Sequence, residues 1–361
     1  MVGGGIAGLT AAYMLSLEGL RVAVVEAMRV IMDVTGFTTG KLTTQHGQVY
    51  GLISERYGLD KAQLYADANQ AALARIISII EDNSIDCDFQ RTDSWLFTEE
   101  SAGLETIHGE VELALKLGLP ASYSETTPMP FTKGAMRFEG QAQFHPRKYL
   151  MFLADQVVAR GGSVLENTRA LDIAEKEPGA VLKTSHGDIT AGSVIIATNT
   201  PFYQSSLYAP RFSPTRSYVL GVKLEQQVPE GMHYCIDDHA ASIRNQPLPG
   251  TDERLLMVGC WDKSLDISET EAQYEKVEAY ARERLPLASV DYHWFTQDQK
   301  TPDRIPWIGR VKDSRHIYVA TGFGGWGMTT SGVAGMLLTD MIAGRDTPYA
   351  ALYDPSRAIQ Q

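Results

Sequence analysis

The sequence predicts an α/β chain in two parts, a doubly wound nucleotide-binding domain and an α+β domain with a mainly antiparallel sheet. Three observations carry this reading. Gly3-Gly4-Gly5-Ile6-Ala7-Gly8 is a G-x-G-x-x-G that opens a small, apolar helix through Leu20, followed by the β-branched run Val22 to Val25 and then Glu26. Far downstream, the buried-looking strand His316 to Thr321 runs into Gly322-Phe323-Gly324-Gly325-Trp326-Gly327-Met328-Thr329 and then a helix from about Ser331 to Ala343. Between them, Arg216 to Leu224 and Arg254 to Trp261 alternate in the manner of antiparallel strands.

Each part of the N-terminal motif has a physical task. Gly3 makes the tight turn out of strand one, Gly5 lets the backbone approach a pyrophosphate, and Gly8 lets the helix pack close to the sheet. The helix N-terminus offers free N–H groups and the positive end of its dipole to phosphates. Glu26, 18 residues beyond the last glycine, is placed to accept from ribose hydroxyls, and an acid there disfavours a 2′-phosphate. Only Met1 and Val2 precede the glycines, so strand one is expected to be abnormally short or to begin earlier than the chain given; absent residues would weaken both the sheet and cofactor affinity.

The second glycine cluster stands at a strand-to-helix junction, where a side-chain-free backbone can press against a flat or phosphorylated ligand. Ser193 to Asn199 is a further short apolar strand ending in small polar residues. Three strand ends would thus converge on one ligand. Lys61 to Asn83 carries apolar residues at three- and four-residue spacing and is expected to be a core helix.

Composition narrows the function. The 361 residues allow two or three domains, or one large domain with an insertion. Lys and Arg number 32 against 44 Asp and Glu, a net charge of −12 that would repel nucleic acid and anionic membrane surfaces. The three cysteines, Cys87, Cys235 and Cys260, form no C-x-x-C pair and suggest neither a zinc nor an iron–sulfur cage, so no metal is expected. With no apolar run of about 18 residues and no leader-like N-terminus, the expected location is the cytoplasm.

These residues resemble the D-amino-acid-oxidase-like FAD oxidoreductases, which include glycine, sarcosine and γ-glutamylputrescine oxidases. The resemblance covers nearly the whole chain and rests on the N-terminal glycines with Glu26, Ala197-Thr198, Thr301-Pro302-Asp303 with Pro306-Trp307-Ile308-Gly309, and the loop Ala320 to Thr329 with its following helix. The loop Thr38-Thr39-Gly40-Lys41-Leu42-Thr43-Thr44-Gln45-His46-Gly47 is most similar to a bacterial branch often fused to a C-terminal Rieske iron–sulfur domain. The chain stops before such a domain, and that electron route is expected to be absent.

The resemblance implies a discontinuous Rossmann-type FAD-binding domain over 1–86, 146–205 and 300–361, and a substrate domain over 87–145 and 206–299 whose sheet roofs the flavin. It implies that Gly3, Gly5 and Gly8 serve the pyrophosphate and Glu26 the ribose, that Thr38 and Thr39 pass the pyrophosphate and ring, that Ala170 meets adenine through its backbone, and that Thr198 closes the nucleotide side. Gly322, Gly324, Gly325, Gly327, Met328 and Thr329 would run beside the isoalloxazine, where backbone N–H groups support negative charge.

Departures from the family shape the remaining expectations. Sarcosine oxidases anchor flavin to a cysteine shortly before Thr-Pro-Asp, where this chain reads Phe295-Thr296-Gln297-Asp298-Gln299; dimethylglycine dehydrogenase relatives use a histidine where Phe37 stands. FAD is therefore expected to be non-covalent. The oxygen-reactive lysine of sarcosine oxidases falls at Leu256-Met257-Val258, leaving Lys41 as the nearest replacement, or as a solvated or phosphate-neighbouring lysine. His46 is a candidate for binding an acidic substrate, or a capping or packed histidine. Where glycine-oxidase relatives carry a carboxylate-binding arginine, the chain has Gln297-Asp298; an acid there suits a cationic amine. A substrate carboxylate would then need Arg244, Arg216, Arg137 or Arg147, each by default a surface arginine. Two of them facing the flavin would suit a dicarboxylate such as iminodiacetate. Tyr218, Tyr234, Trp261, Trp294 and especially Trp326 could wall a small amine pocket, or pack as core.

The implied activity is FAD-dependent oxidation of a small amine or amino acid, with dioxygen reduced to hydrogen peroxide. Two alternatives stand beside it: a dehydrogenase passing electrons to a separate protein, and a non-catalytic FAD-binding protein. A nicotinamide-linked reductase lacks its second G-x-G-x-x-G.

Overall fold

The computed structural model describes residues 1–204, 208–251, 253–262 and 267–359, with the side chains of 261, 262 and 267 outside that description. The described helices are α1 (Ile6–Leu17), α2 (Val49–Tyr57), α3 (Leu59–Asp82), α4 (Leu104–Lys116), α5 (Pro146–Ala159), α6 (Thr270–Arg284), α7 (Gly327–Ile342) and α8 (Ala350–Tyr353). The first strands are β1 (Ala23–Val25), β2 (Lys41–Leu42), β3 (Gln90–Thr98), β4 (Ala121–Ser124), β5 (Gly134–Gln143) and β6 (Ser163–Leu165). Then come β7 (Ala170–Glu175), β8 (Ala180–Thr184), β9 (Gly187–Ala191), β10 (Val194–Ile196), β11 (Ser213–Leu224) and β12 (Met232–Cys235). The last are β13 (Ser242–Pro247), β14 (Arg254–Asp262), β15 (Leu287–Lys300), β16 (Trp307–Arg310) and β17 (Ile317–Thr321).

The nucleotide-type layer is parallel where it matters. β1 pairs β6 and β10 pairs β17 in parallel, with β16 antiparallel on the outer side of β17. Val2 joins the two halves by parallel bridges to Ile196 and Val25, its N–H donating to Ile195 O at 2.8 Å and its carbonyl accepting from Ala197 N at 2.7 Å. In the chain given, the position of strand one is held by a single paired residue, Val2, at the centre of the sheet. Helices α1, α3, α5 and α7 cover this layer; α1 is buried on nearly every face, as its continuous apolar text requires.

The second layer is a nine-stranded sheet in the order β15-β11-β14-β13-β12-β3-β5-β2, with β4 also on β5. Every pair is antiparallel except β12 with β3. Period-two alternation sends Tyr218, Leu220 and Val222 of β11 and Leu256 and Val258 of β14 to the face covered by α6 through Val277, Tyr280 and Ala281. Their neighbours Gly221, Met257 and Arg244 point to the opposite face. The architecture is the mixed α/β fold expected, and β2, from the segment assigned to the nucleotide domain, closes one edge of this sheet. No described helix is long and apolar enough to cross a membrane.

Candidate active site

Two cavities flank the loop 322–328. The first, about 470 Å³, runs from the N-terminus of α1 to the N-terminus of α7 and is lined by Gly3, Gly5, Glu26, Thr38, Ala170, Thr198, Asp298, Phe323, Gly325, Gly327 and Met328, among others. The second, about 230 Å³, is lined by His46, Tyr234, Lys300, Arg304, Gly322, Phe323, Gly324 and Trp326 with neighbours from 47–52 and Thr301. Phe323 belongs to both walls.

The first cavity is built largely of backbone. Gly3 lies at φ +107, and a Cβ there would stand 2.4 Å from Ala197 O; a Cβ on Gly8 would stand 1.9 Å from Gly3 O. Gly8 accordingly does not line the cavity but lets α1 pass against the turn. No side chain of the N-cap Gly5 closes the helix start; instead Thr35 Oγ1 accepts from Ile6 N at 3.0 Å. Glu26 accepts from Gly4 N at 2.7 Å and from Met28 N at 2.9 Å, so its carboxylate is fixed at the end of β1. At the far end, Gly322, Gly324 and Gly325 have φ of 78, 58 and 93, which β-carbon-bearing residues adopt only with strain. Gly325 N donates to Asp298 Oδ2 at 2.5 Å, and burial raises the Asp298 carboxyl above the usual carboxylate range. Helix α7 begins at Gly327, earlier than the sequence suggested, and aims its uncapped N-terminus into this cavity. A cleft that joins a glycine turn, two helix N-termini and a fixed acid fits a dinucleotide cofactor: Gly3 and Gly5 line it with no side chain, and each end offers backbone N–H groups to an anion.

The other expected residues take different places. Thr39 does not line either cavity. Thr329 clasps Thr43: its Oγ1 donates to Thr43 O at 2.7 Å and accepts from Thr43 N at 3.0 Å. Lys41 is buried on β2, with Nζ donating to His233 O and Ser242 Oγ, both at 2.7 Å; desolvation, aided by Arg244, holds its pKa well below the ordinary lysine range. Arg244 is also buried, donating to Gly40 O at 3.0 Å, to Phe144 O at 3.2 Å and to Gln246 Oε1, and desolvation lowers it to about 9. Both cations therefore sit in the sheet and outside the cavity walls. His46 does reach the second cavity. Its Nε2 faces Thr43 O and its Nδ1 faces Tyr65 Oη, each at 2.8 Å, and burial depresses its pKa to about 3, which keeps it neutral. A carbonyl accepts only, so Nε2 carries the proton and Tyr65 donates to Nδ1.

Among the aromatics, Trp326 stacks on His46 with ring centres 4.9 Å apart, and Tyr234 meets Trp326 edge-on at 5.4 Å. Tyr218 is buried beneath α6 against Tyr274, and Trp294 donates to Phe37 O at 2.8 Å. The Trp261 side chain lies outside the described residues. Arg216 is buried against Phe295 and donates to Gln297, Arg137 pairs with Asp93 and Glu139, and Arg147 is exposed beside Met32. Sequence reasoning missed Thr35, Lys300 and Arg304, which come to the cavities by chain reversal and carry no local pattern, and did not single out Phe323 within the glycine loop. It also missed that Glu99, Cys235 and His239 gather within 4.8 Å. Glu99 already binds Arg284 and Tyr280 at 2.6 Å and His239 at 3.0 Å, so a guanidinium supplies the positive charge there.

Comparison with known proteins gives a consistent answer. The family described as "DAO: FAD dependent oxidoreductase" matches residues 1–341. A putative Rieske 2Fe-2S iron-sulfur protein, YhfW, of Bacillus subtilis (strain 168) is 38% identical over 360 residues, 99% of this chain and 70% of that protein. Gamma-glutamylputrescine oxidoreductase of Escherichia coli (strain K12) is 26% identical over 360 residues, covering 95% of this chain and 83% of the relative. Glycine oxidase from Geobacillus kaustophilus superposes with a TM-score of 0.80 over 99% of this chain and 98% of that one, at 20% identity.

Proposed function

The chain belongs to the DAO family of FAD-dependent oxidoreductases, and from that premise we propose that it oxidises a C–N bond of a small amine or amino acid, with dioxygen as final acceptor and hydrogen peroxide as product. The observation that carries the reading is the pairing of a backbone-built cofactor cleft with a smaller, aromatic-walled cavity across one shared residue, Phe323. FAD, held non-covalently, would supply the two-electron chemistry that oxidises the C–N bond to an imine, which water would hydrolyse.

The protein's own residues would do the rest. Gly3, Gly5 and the start of α1 would hold the pyrophosphate, Glu26 the ribose, Ala170 the adenine and Thr198 the nucleotide side. The N-terminus of α7 would favour negative charge at the reacting end of the cleft. Trp326, Tyr234 and Phe323 would exclude water, which favours an uncharged amine, and His46, already neutral, would add no competing cation. Asp298, which lines the same cleft and whose pKa is raised by burial, would hold a proton at the reacting end.

A second reading is favoured by the placement of the cations. Met257 stands where sarcosine oxidases carry a lysine, and Lys41 is tied down by His233 and Ser242, which supports a dehydrogenase that hands its electrons to a separate protein. An anaerobic titration separates the readings. The purified protein is mixed with sarcosine, glycine, iminodiacetate, D-alanine, proline or γ-glutamylputrescine, the flavin band is followed, and air is then admitted. Bleaching with fast return of colour and peroxide supports the oxidase. Bleaching that persists in air supports the dehydrogenase, and a flavin band that no compound alters sinks both.

A further inference from the structure

The second cavity has cations and aromatic surface in its wall and no carboxylate. Arg304 is its distinctive member. It is held at φ 63, in the left-handed region that an arginine rarely adopts. The turn that holds it is clamped on both sides: Thr301 Oγ1 donates to Ile305 O at 2.9 Å, and Asp303, fully buried, binds Arg357 at 2.8 and 2.9 Å and Tyr57 at 3.1 Å. Strain of this kind persists only where the surroundings over-determine it, and it concentrates at ligand sites. Arg304 is exposed as a residue, burial of its guanidinium is only partial, and among the described residues the group donates no hydrogen bond and enters no ion pair. The charged group that bears on it is another cation, Arg56, and the Tyr234 hydroxyl faces it as well. Lys300 adds positive charge to the same wall.

We propose that this cavity receives the acidic end of the substrate, with Arg304 as its anion anchor, so that the compound oxidised is an amine carrying a carboxylate distal to the reacting carbon. The inference rests on the amine-oxidation reading above and deepens it. At about 230 Å³ the cavity is smaller than the roughly 300–1,000 Å³ of a whole-ligand pocket, which suits one end of a molecule whose other end passes Phe323 into the cofactor cleft. Trp326 and Tyr234 would flank the intervening methylenes, and a planar guanidinium matches a carboxylate with two parallel hydrogen bonds. Arg304 is thus a specificity-determining residue.

The test uses the full chain with its flavin and three small probes: glutarate, butyrate and butyramide. Binding is read twice, by perturbation of the visible flavin band and by calorimetry, for the wild type, Arg304→Gly and Arg304→Lys. Glycine adopts the local backbone without strain, so Arg304→Gly is expected to fold and to retain flavin. The expected result is glutarate binding weakened at least tenfold in Arg304→Gly (about 1.4 kcal/mol) and less in Arg304→Lys, butyrate weakened less, and butyramide indifferent to the substitution. Glutarate binding that is equal in wild type and Arg304→Gly, or undetectable in the wild type, overturns the proposal. A protein that retains no flavin would sink the amine-oxidation reading, while calorimetry would still decide the role of Arg304.

Discussion

The two cavities are walled by opposite kinds of material. The larger is made largely of backbone: glycines without which the chain would collide with itself, two helix N-termini and two acids, Glu26 and Asp298, each held by backbone N–H groups. The smaller is made of side chains from four separated segments, 46–52, 234, 300–304 and 322–326. Backbone sites tolerate few substitutions because a Cβ either fits or does not. Side-chain sites can be re-equipped while the fold stays as it is. That difference would let one fold keep a cofactor and change its substrate, and four experiments bear on it.

The largest expected effect concerns the scaffold beneath the smaller cavity. Asp303→Ala strips the largely buried Arg357 of its carboxylate partner, leaving it the carbonyls of Ile305, Pro306 and Asp354, and losing one member of a buried pair costs about 3–5 kcal/mol. Chemical denaturation should show that loss; a change below about 1 kcal/mol would mean the turn bearing Arg304 is held by other contacts.

Next comes the larger cavity. Gly8→Ala drives a Cβ to within 1.9 Å of Gly3 O, so the turn must open, at roughly 2–3 kcal/mol. Flavin content per purified chain should drop sharply, while binding of glutarate, measured by calorimetry, should survive. Loss of both together would show that the two cavities are not separable.

A smaller change is expected from Glu26→Ala. Two backbone N–H groups, of Gly4 and Met28, lose their acceptor, and each such orphan costs about 1–3 kcal/mol when buried, less where water can enter. The flavin dissociation constant should rise by about tenfold or more. Unchanged retention in a fluorescence titration would remove Glu26 from the cofactor site.

The gentlest probe is pH. His46 and His233 have folded-state pKa values depressed to about 3 by burial, below the ordinary value of about 6.5, so the unfolded chain binds more protons between these limits. Their contribution is complete above pH 6.5 and is lost as pH falls towards 3, at up to about 1.4 kcal/mol per pH unit for each. Glu110, raised by burial to about 7, acts in the opposite sense: its stabilisation is present below about pH 4.5 and lost as pH rises through 7. Between pH 6.5 and 4.5 the two histidines outweigh the one glutamate, so denaturation midpoints should fall on acidification in the wild type, and fall less in His46→Gln. An identical slope in that variant would indicate that His46 is not desolvated.

Particular residues show what could be read in advance. Gly3, Gly5, Glu26 and the glycines from 322 to 327 were legible because their meaning is local: a spacing, a strand end, a helix start. β11 and β14 were legible because alternation of period two survives in the text. Lys41 and Arg244 were legible only as charges. Their carbonyl partners, His233, Gly40 and Phe144, are fixed by strand register and carry no sequence signature. Thr35, which accepts from the first turn of α1, lies 29 residues from Ile6 and follows no capping pattern.

By itself, then, the sequence determined the layers of the fold, the glycine-lined cleft at the ends of its parallel strands, and a net charge of −12. These follow from interactions within a few residues, or from periodicities that one face of a helix or strand imposes. Only the tertiary structure decided which charges face ligand and which are spent inside the sheet. It turned Lys41 and Arg244 towards backbone carbonyls, tied the buried Asp303 to Arg357, and presented Arg304 beside Trp326 and Tyr234. The physical reason is that a long cationic side chain takes its role from whatever the fold brings within about 3 Å of its nitrogen atoms, and those partners come from segments up to about 200 residues away.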